Sequence, residues 1–339
     1  MYKTMGAASL GALIGYILNV PMGSLFGAVI GVLILGRVMS VPLSLPKQTI
    51  VFIQTTLGLS VGSVVSFGSI SSLFSPVLFI ALICCLAIQT MSAYLWLNRR
   101  EGWSGVDSFL GAIPGALAAI LSMGDNYVSA SPKVIFAHSV RLIILVTMAA
   151  FVSYLMPTDM TVQAIDASWG TKTVLSLSIV ALSSLLLGYF ASKLGVPAPY
   201  MVMALICSVI AQEILPTGVF VVPSMLVALS TVALGAFLGL RLSEVETGNV
   251  LSYVRAGVFV TAISMSVTAL FSYVMSLVTG VEWLVLLLSW VPGNVEAMTA
   301  VALMFGLEPA FVMINHVVRL GVLHALPLVF RQFLLQQKQ

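Results

Sequence analysis

Charge is scarce in this chain: Lys, Arg, Asp and Glu together make up 7% of 339 residues. Residues 6–36 and 48–98 carry none, nor do the runs 173–192, 214–240 and 256–281. With 60% hydrophobic residues and a mean hydropathy of +1.13, a water-soluble globule is excluded. A bilayer crossing needs about 20 apolar residues, and each charge-free run supplies that length. Cysteine is nearly absent. Cys84, Cys85 and Cys207 lie inside apolar stretches, which excludes a disulfide framework and predicts reduced core residues. Histidine is as rare. His138, His316 and His324 lack the local spacing of a metal site, so oxidative metal chemistry is short of ligands unless the two repeat-related histidines meet. No basic soluble domain is present to offer a recognition helix, so direct binding of nucleic acid is not expected.

What the chain does have is an internal copy of itself. Residues 109–151 and 287–329 align without a gap at an offset of 178. Ile113-Pro114-Gly115 precedes His138-Ser139-Val140-Arg141-Leu142, and Val291-Pro292-Gly293 precedes His316-Val317-Val318-Arg319-Leu320. The proline-to-histidine interval is 24 residues in both. The duplication reaches further: Gly15-Tyr16 returns as Gly188-Tyr189, Val20-Pro21 as Val196-Pro197, and Leu57-Gly58 through Gly62 as Leu234-Gly235 through Gly239. The apolar N-terminus after Lys3 imitates a signal peptide, but its membership in the repeat predicts that it is retained.

The chain divides into repeat 1 (1–156), an acidic linker (157–171) expected to be periplasmic, and repeat 2 (172–339). Six apolar segments are predicted in each: 5–19, 22–39, 47–68, 73–98, 105–123 and 131–156, then 173–192, 198–214, 218–241, 251–279, 283–305 and 309–332. Lys and Arg collect on cytoplasmic loops. If each Pro-Gly segment dips in and returns on one side, all loop cations except Lys172 fall on the cytoplasmic side, and both termini lie there. Six full crossings per copy would instead put Lys193, Arg241 and Arg255 outside. The expected fold is therefore an all-α polytopic membrane protein of two inverted repeats. Each would have about five transmembrane helices and one re-entrant or broken helix, an arrangement that suits secondary transporters. Pro114-Gly115 and Pro292-Gly293 mark the helix breaks, because proline removes a donor and clashes with the preceding turn. Broken ends would present N–H groups suited to an anion.

Arg141 and Arg319 then lie near mid-membrane, where an ionisable residue is costly and commonly functional. His138 and His316 share their helix faces, three residues before each arginine. Asn315 lies four before Arg319, and Asn294 and Glu296 follow the second break, where the first copy has Ala116-Leu117-Ala118. One reading makes the arginines bidentate carboxylate ligands and Glu296 a proton or cation site. The other makes each arginine a cap on helix carbonyls, with Glu296 its buried counter-charge. Asp125 and Asn126 are either a polar gate or a solvated loop. Trp96, Trp103 and Trp283 are expected near membrane interfaces, and Trp290 beside the site.

The Pro-containing entries (Val20-Pro21, Val196-Pro197-Ala198-Pro199-Tyr200), the Pro-Gly turns and the two closing motifs, His138 to Leu142 and His316 to Leu320, resemble the AbrB membrane-protein family. This duplicated family shares only its name with a small DNA-binding transition-state regulator. The resemblance spans almost the whole chain. It implies a bacterial inner-membrane protein akin to cation/proton antiporters and anion transporters, whose members carry labels such as regulator of gene expression or putative ammonia monooxygenase. Ala116 and Asn294 stand where the family has a second glycine, and Glu296 is shifted by one from the usual acidic position. The expected function is secondary transport of a small organic anion, a carboxylate above all, by an elevator-type movement coupled to protons or sodium. A membrane receptor or regulator acting indirectly on gene expression is the alternative, and a membrane monooxygenase a remote one. No enzyme activity, metal or other cofactor is expected. The partners are the lipid bilayer, the anionic substrate and, by analogy with elevator-like relatives, a second copy of the chain.

Overall fold

The computed structural model describes residues 2–18, 22–38, 43–64, 75–113, 131–155, 171–215, 220–243 and 250–329. The regular structure among these residues is all helix, with no strand. In chain order the helices are α1 (Tyr2–Ile17), α2 (Gly23–Val38), α3 (Gln48–Gly62), α4 (Pro76–Arg99), α5 (Gly105–Ala112), α6 (Pro132–Leu155) and α7 (Thr171–Lys193). Then follow α8 (Pro199–Ile214), α9 (Ser224–Ser243), α10 (Val250–Thr279), α11 (Trp283–Trp290), α12 (Val295–Phe305) and α13 (Pro309–Val329). Among the described residues, four stretches are long and apolar enough to cross a membrane: Pro76–Arg99, Thr173–Lys193, Ser224–Arg241 and Ser252–Thr279. Gly23–Val38 and Pro199–Ile214 are apolar but shorter. Their 16 residues rise about 24 Å at 1.5 Å per residue. Large apolar side chains stay exposed on the long helices, among them Leu182 and Leu277, as lipid-facing surfaces require.

The helices gather into two compact units, each drawn from both repeats. Unit 1 comprises 1–74, 149–244 and 299–310, and unit 2 comprises 75–148, 245–298 and 311–339. In unit 1, α1 packs on α2 through glycines: a Cβ on Gly11 would collide with the Gly27 carbonyl, and one on Gly15 with that of Gly23. Such contact between backbones is a common way for helices to associate in lipid. Gly58 and Gly62 let α3 lie against Met201, Leu205 and Ser208 of α8. Their repeat counterparts, Gly235 and Gly239, let α9 lie against Leu25 and Val29 of α2. The two repeats thus exchange the same contact. Met22 and Ala198, the residues before α2 and α8 at matching places in the repeats, both adopt the left-handed region, at φ 55 and 47.

In unit 2, α4 and α10 are repeat counterparts and run antiparallel. Three contacts establish this, with residue numbers rising on one helix as they fall on the other. Gln89 Nε2 donates to Thr268 Oγ1 at 2.6 Å, the rings of Trp96 and Phe259 stack at 4.7 Å, and Arg255 donates to both oxygens of Glu101 at 3.1 and 2.8 Å. The buried stripes coincide at an offset of 179: Leu82 with Thr261, Cys85 with Ser264, Gln89 with Thr268, Ala93 with Ser272. A core of Leu97, Trp103, Leu110, Ile113, Ala137, Val260 and Leu323 ties α4, α5, α6, α10 and α13 together.

Candidate functional site

The site is built at the ends of two short helices. Helix α5 starts at an N-cap, Ser104, whose hydroxyl accepts the Asp107 N–H at 3.1 Å. It ends at Ala112, just before Pro114. Pro114 and Gly115 lie outside the described residues, as do Asp125 and Asn126. Helix α11 ends at Trp290, and Val291-Pro292-Gly293-Asn294 separates it from α12, as the sequence predicts for a proline that cannot continue a helix. Gly293 sits so close to Met298 that a Cβ would come within 2.8 Å of its side chain.

Each arginine reaches one of these ends. Arg141 is 2% exposed and donates from Nη2 to the Gly111 carbonyl at 3.0 Å and from Nη1 to that of Ile113 at 3.3 Å. Arg319 is 0% exposed and donates to the carbonyls of Val291 and Gly293. His138 Nε2 meets the Leu110 carbonyl at 3.0 Å, and His316 Nε2 meets that of Leu288 at 2.9 Å. Four of these contacts span 28 residues: 110 to 138, 113 to 141, 288 to 316 and 291 to 319. A constant interval means that α6 runs parallel to α5, and α13 parallel to α11. Between α11 and α13 the chain therefore doubles back. In the first repeat an ion pair joins the start of α5 to the start of α6, with Lys133 Nζ 2.7 Å from Asp107 Oδ2. Lys133 also lies over the Trp103 ring at 5.3 Å.

The arginines thus cap helix-end carbonyls, and each keeps a buried Nε with no hydrogen-bond partner. Arg319 lies within electrostatic reach of both Arg141 and Cys85. Glu296 is buried in the first turn of α12. The expectation of open N–H groups at the second break is met differently. Asn294 Oδ1 accepts the N–H of Glu296 at 2.7 Å and that of Ala297 at 3.2 Å, so the protein's own amide fills the anion position at that terminus. Asn315 accepts from Trp290 Nε1 at 3.2 Å and donates to the Phe311 carbonyl at 2.9 Å, fixing the buried indole beside the break.

Outside the membrane-spanning helices, burial raises the pKa of the Asp107 carboxyl, but the Lys133 ammonium and the Ser104 hydroxyl that donate to it outweigh that effect. The net effect is a pKa below the ordinary carboxylate value. All three cysteines are free; Cys85 is buried as expected, whereas Cys84 is exposed on the outer face of α4. Trp103 and Trp290 are buried and Trp283 is exposed. Among the described residues, no three His, Cys, Asp or Glu side chains gather as a metal-ligand set.

Sequence reasoning missed one cluster. Between α4 and α10, Gln89 Nε2 also contacts Cys85 Sγ at 3.2 Å, and Thr268 Oγ1 donates to the Ser264 carbonyl at 2.9 Å. Gln89 Oε1 and Ser264 Oγ are buried without partners. The available signal was polar residues four apart in otherwise apolar helices, repeated at an offset of 179.

No curated protein matches the chain. The family model described as transition state regulatory protein AbrB matches residues 24–334. That match takes in nearly all of α2, every later helix and both buried arginines, and the chain belongs to the AbrB family.

Proposed function

We propose that this protein is a secondary active transporter of a small organic anion, a carboxylate above all, coupled to protons or sodium. The observation that carries the reading is the repeat-related pair of arginines, each buried at a helix end and each retaining an unpartnered Nε. Two like charges taken out of water are costly unless something offsets them. A carboxylate accepts hydrogen bonds from guanidinium groups with matching geometry and would offset that cost. In this reading the Pro-Gly segments are re-entrant hairpins. Five crossings plus one hairpin per copy then make the repeats inverted, which the antiparallel pairing of α4 with α10 supports. The pairs Arg255 with Glu101 and Lys133 with Asp107 support a shared cytoplasmic side for those residues. The bundle of broken helices would move against a scaffold built from the early helices in an elevator-type cycle. Both termini would be cytoplasmic in a bacterial inner membrane, the chain would act without enzyme chemistry or a cofactor, and a homodimer is expected.

A thermal-shift screen of the detergent-purified protein tests this, with mono- and dicarboxylates, amino acids and inorganic anions, with and without sodium, at two pH values. A ligand at 100 times its dissociation constant stabilises the fold by about 2.7 kcal/mol. A carboxylate-specific shift that disappears in Arg319→Ala is the expected result; no shift with any ligand refutes transport of this class. The family's description as a regulatory protein favours a second reading, a membrane receptor acting on gene expression through a partner. Recovery of a stoichiometric protein partner, with no ligand response, would support that alternative.

A further inference from the structure

The polar cluster between α4 and α10 has no part in holding the hairpins. Cys85, Gln89, Ser264 and Thr268 are all fully buried on the apolar interface of two helices. Leaving polar atoms unpaired there is costly, yet Gln89 Oε1 and Ser264 Oγ are both unpaired. The Gln89 amide is fixed by its other atom, since Nε2 is engaged by Thr268 Oγ1 and Cys85 Sγ. Oε1 can therefore only accept, and what meets it must donate. Ser264 Oγ lies one turn from Thr268 and can donate or accept. The cluster adjoins the arginines, because Cys85 is within electrostatic reach of Arg319, which in turn is within reach of Arg141.

That neighbourhood selects the donor. Two guanidinium groups disfavour a metal cation or an ammonium group and leave a neutral hydroxyl as the fitting one. We propose that the cluster of Gln89 and Ser264 reads a hydroxyl group on the transported anion, so that the substrate class is a small hydroxycarboxylate. This rests on the anion-transport reading: the arginines take the carboxylate, and Gln89 Oε1 with Ser264 Oγ takes the hydroxyl. A site built to bond a hydroxyl discriminates strongly against the analogue without one, because its own polar atoms are then left unpaired.

Hydroxylated and deoxygenated isosteres separate this inference from the reading beneath it. Binding of lactate against propionate, and of glycolate against acetate, is measured by calorimetry on the full-length protein in detergent. The expected result is that each hydroxy acid binds at least about tenfold more tightly, a factor worth 1.4 kcal/mol. Gln89→Met and Ser264→Ala should each reduce that ratio toward one while leaving propionate affinity unchanged, which also certifies that the variant is folded. Lactate and propionate bound equally by the unaltered protein overturns the hydroxyl assignment alone and leaves a buried water as occupant of the cluster. A ratio retained in both variants overturns it too. Absence of binding by all four acids removes the anion reading itself. Should either variant fail to fold, the wild-type ratio still decides.

Discussion

Arg319 donates to two carbonyls at the end of α11 while its Nε remains unpaired. The side chain therefore has a structural role, and the proposed function gives its Nε a second one. Hydrogen bonds from a charged donor contribute about 1.5–3 kcal/mol each. Arg319→Ala should lower stability by about 2–4 kcal/mol through the uncapped Val291 and Gly293 carbonyls, read as a fall in Tm in detergent. Arg319→Lys keeps the charge without the planar fork, so it should recover less than half of that loss. An unchanged Tm in Arg319→Ala would refute the capping role. Asp107 gives a pH-dependent counterpart. Its folded-state pKa lies below the unfolded one, so its contribution is present above the ordinary carboxylate pKa of about 3.9 and lost as pH falls through the lower folded value. A partly exposed ion pair contributes only about 0–1 kcal/mol. Asp107→Asn should therefore cost about 1 kcal/mol at neutral pH, and the difference from the parent protein should vanish under acid. A difference that persists below that window would refute the assignment to the carboxylate charge. At this scale the sequence named the arginines and the histidines from repetition, because an unusual residue found twice at one spacing stands out against an apolar background, and Asn294 from the place where the copies diverge. It did not name Gln89 or Ser264, since neutral polar side chains are unremarkable in a long apolar run until their unpaired oxygens are seen.

Several helices of unit 1 are held by close backbone contact. Gly58 shows the consequence: a Cβ there would collide with the Met201 carbonyl and lie 2.8 Å from the Ala204 Cβ. Gly58→Val should therefore part α3 from α8 at a cost of about 1–3 kcal/mol. Gly6, where a Cβ would meet nothing within 4 Å, should accept alanine with no measurable change in Tm. Equal effects at the two positions would show that glycine content, and not close approach, sets stability. The positions of most helices were legible as charge-free runs, to within a few residues. The apolar segment 283–305 was legible as interrupted, because proline dictates a break wherever it stands. The parallel course of α5 with α6 and of α11 with α13 was not, because loop charges bear on sidedness and not on which residues touch.

For the whole molecule, the sequence divides at its linker into repeats, whereas the fold divides into units that each take helices from both. A chain's own order records its duplication; its packing records which faces were apolar. The proposed topology has a direct check. A reporter fused after residue 160 should read periplasmic, and one after residue 339 cytoplasmic. A cytoplasmic signal from residue 160 would remove the inverted arrangement and with it the five-crossing count.

The antiparallel union of α4 with α10 carries a historical corollary. A surface that pairs with its own counterpart across a twofold axis is isologous, the kind that closes a dimer of identical chains. In such an ancestor, every residue on the axis would face a copy of itself. Fusion into one polypeptide lifts that constraint, and the interface now holds Gln89 opposite Thr268, with Cys85 in one half where the other has Ser264. The same freedom separates Ala116-Leu117-Ala118 from Asn294-Val295-Glu296. Asymmetry of this sort is what lets one face of a formerly symmetric seam distinguish the two ends of a lopsided molecule, which no pair of identical subunits can do with a ligand on its axis.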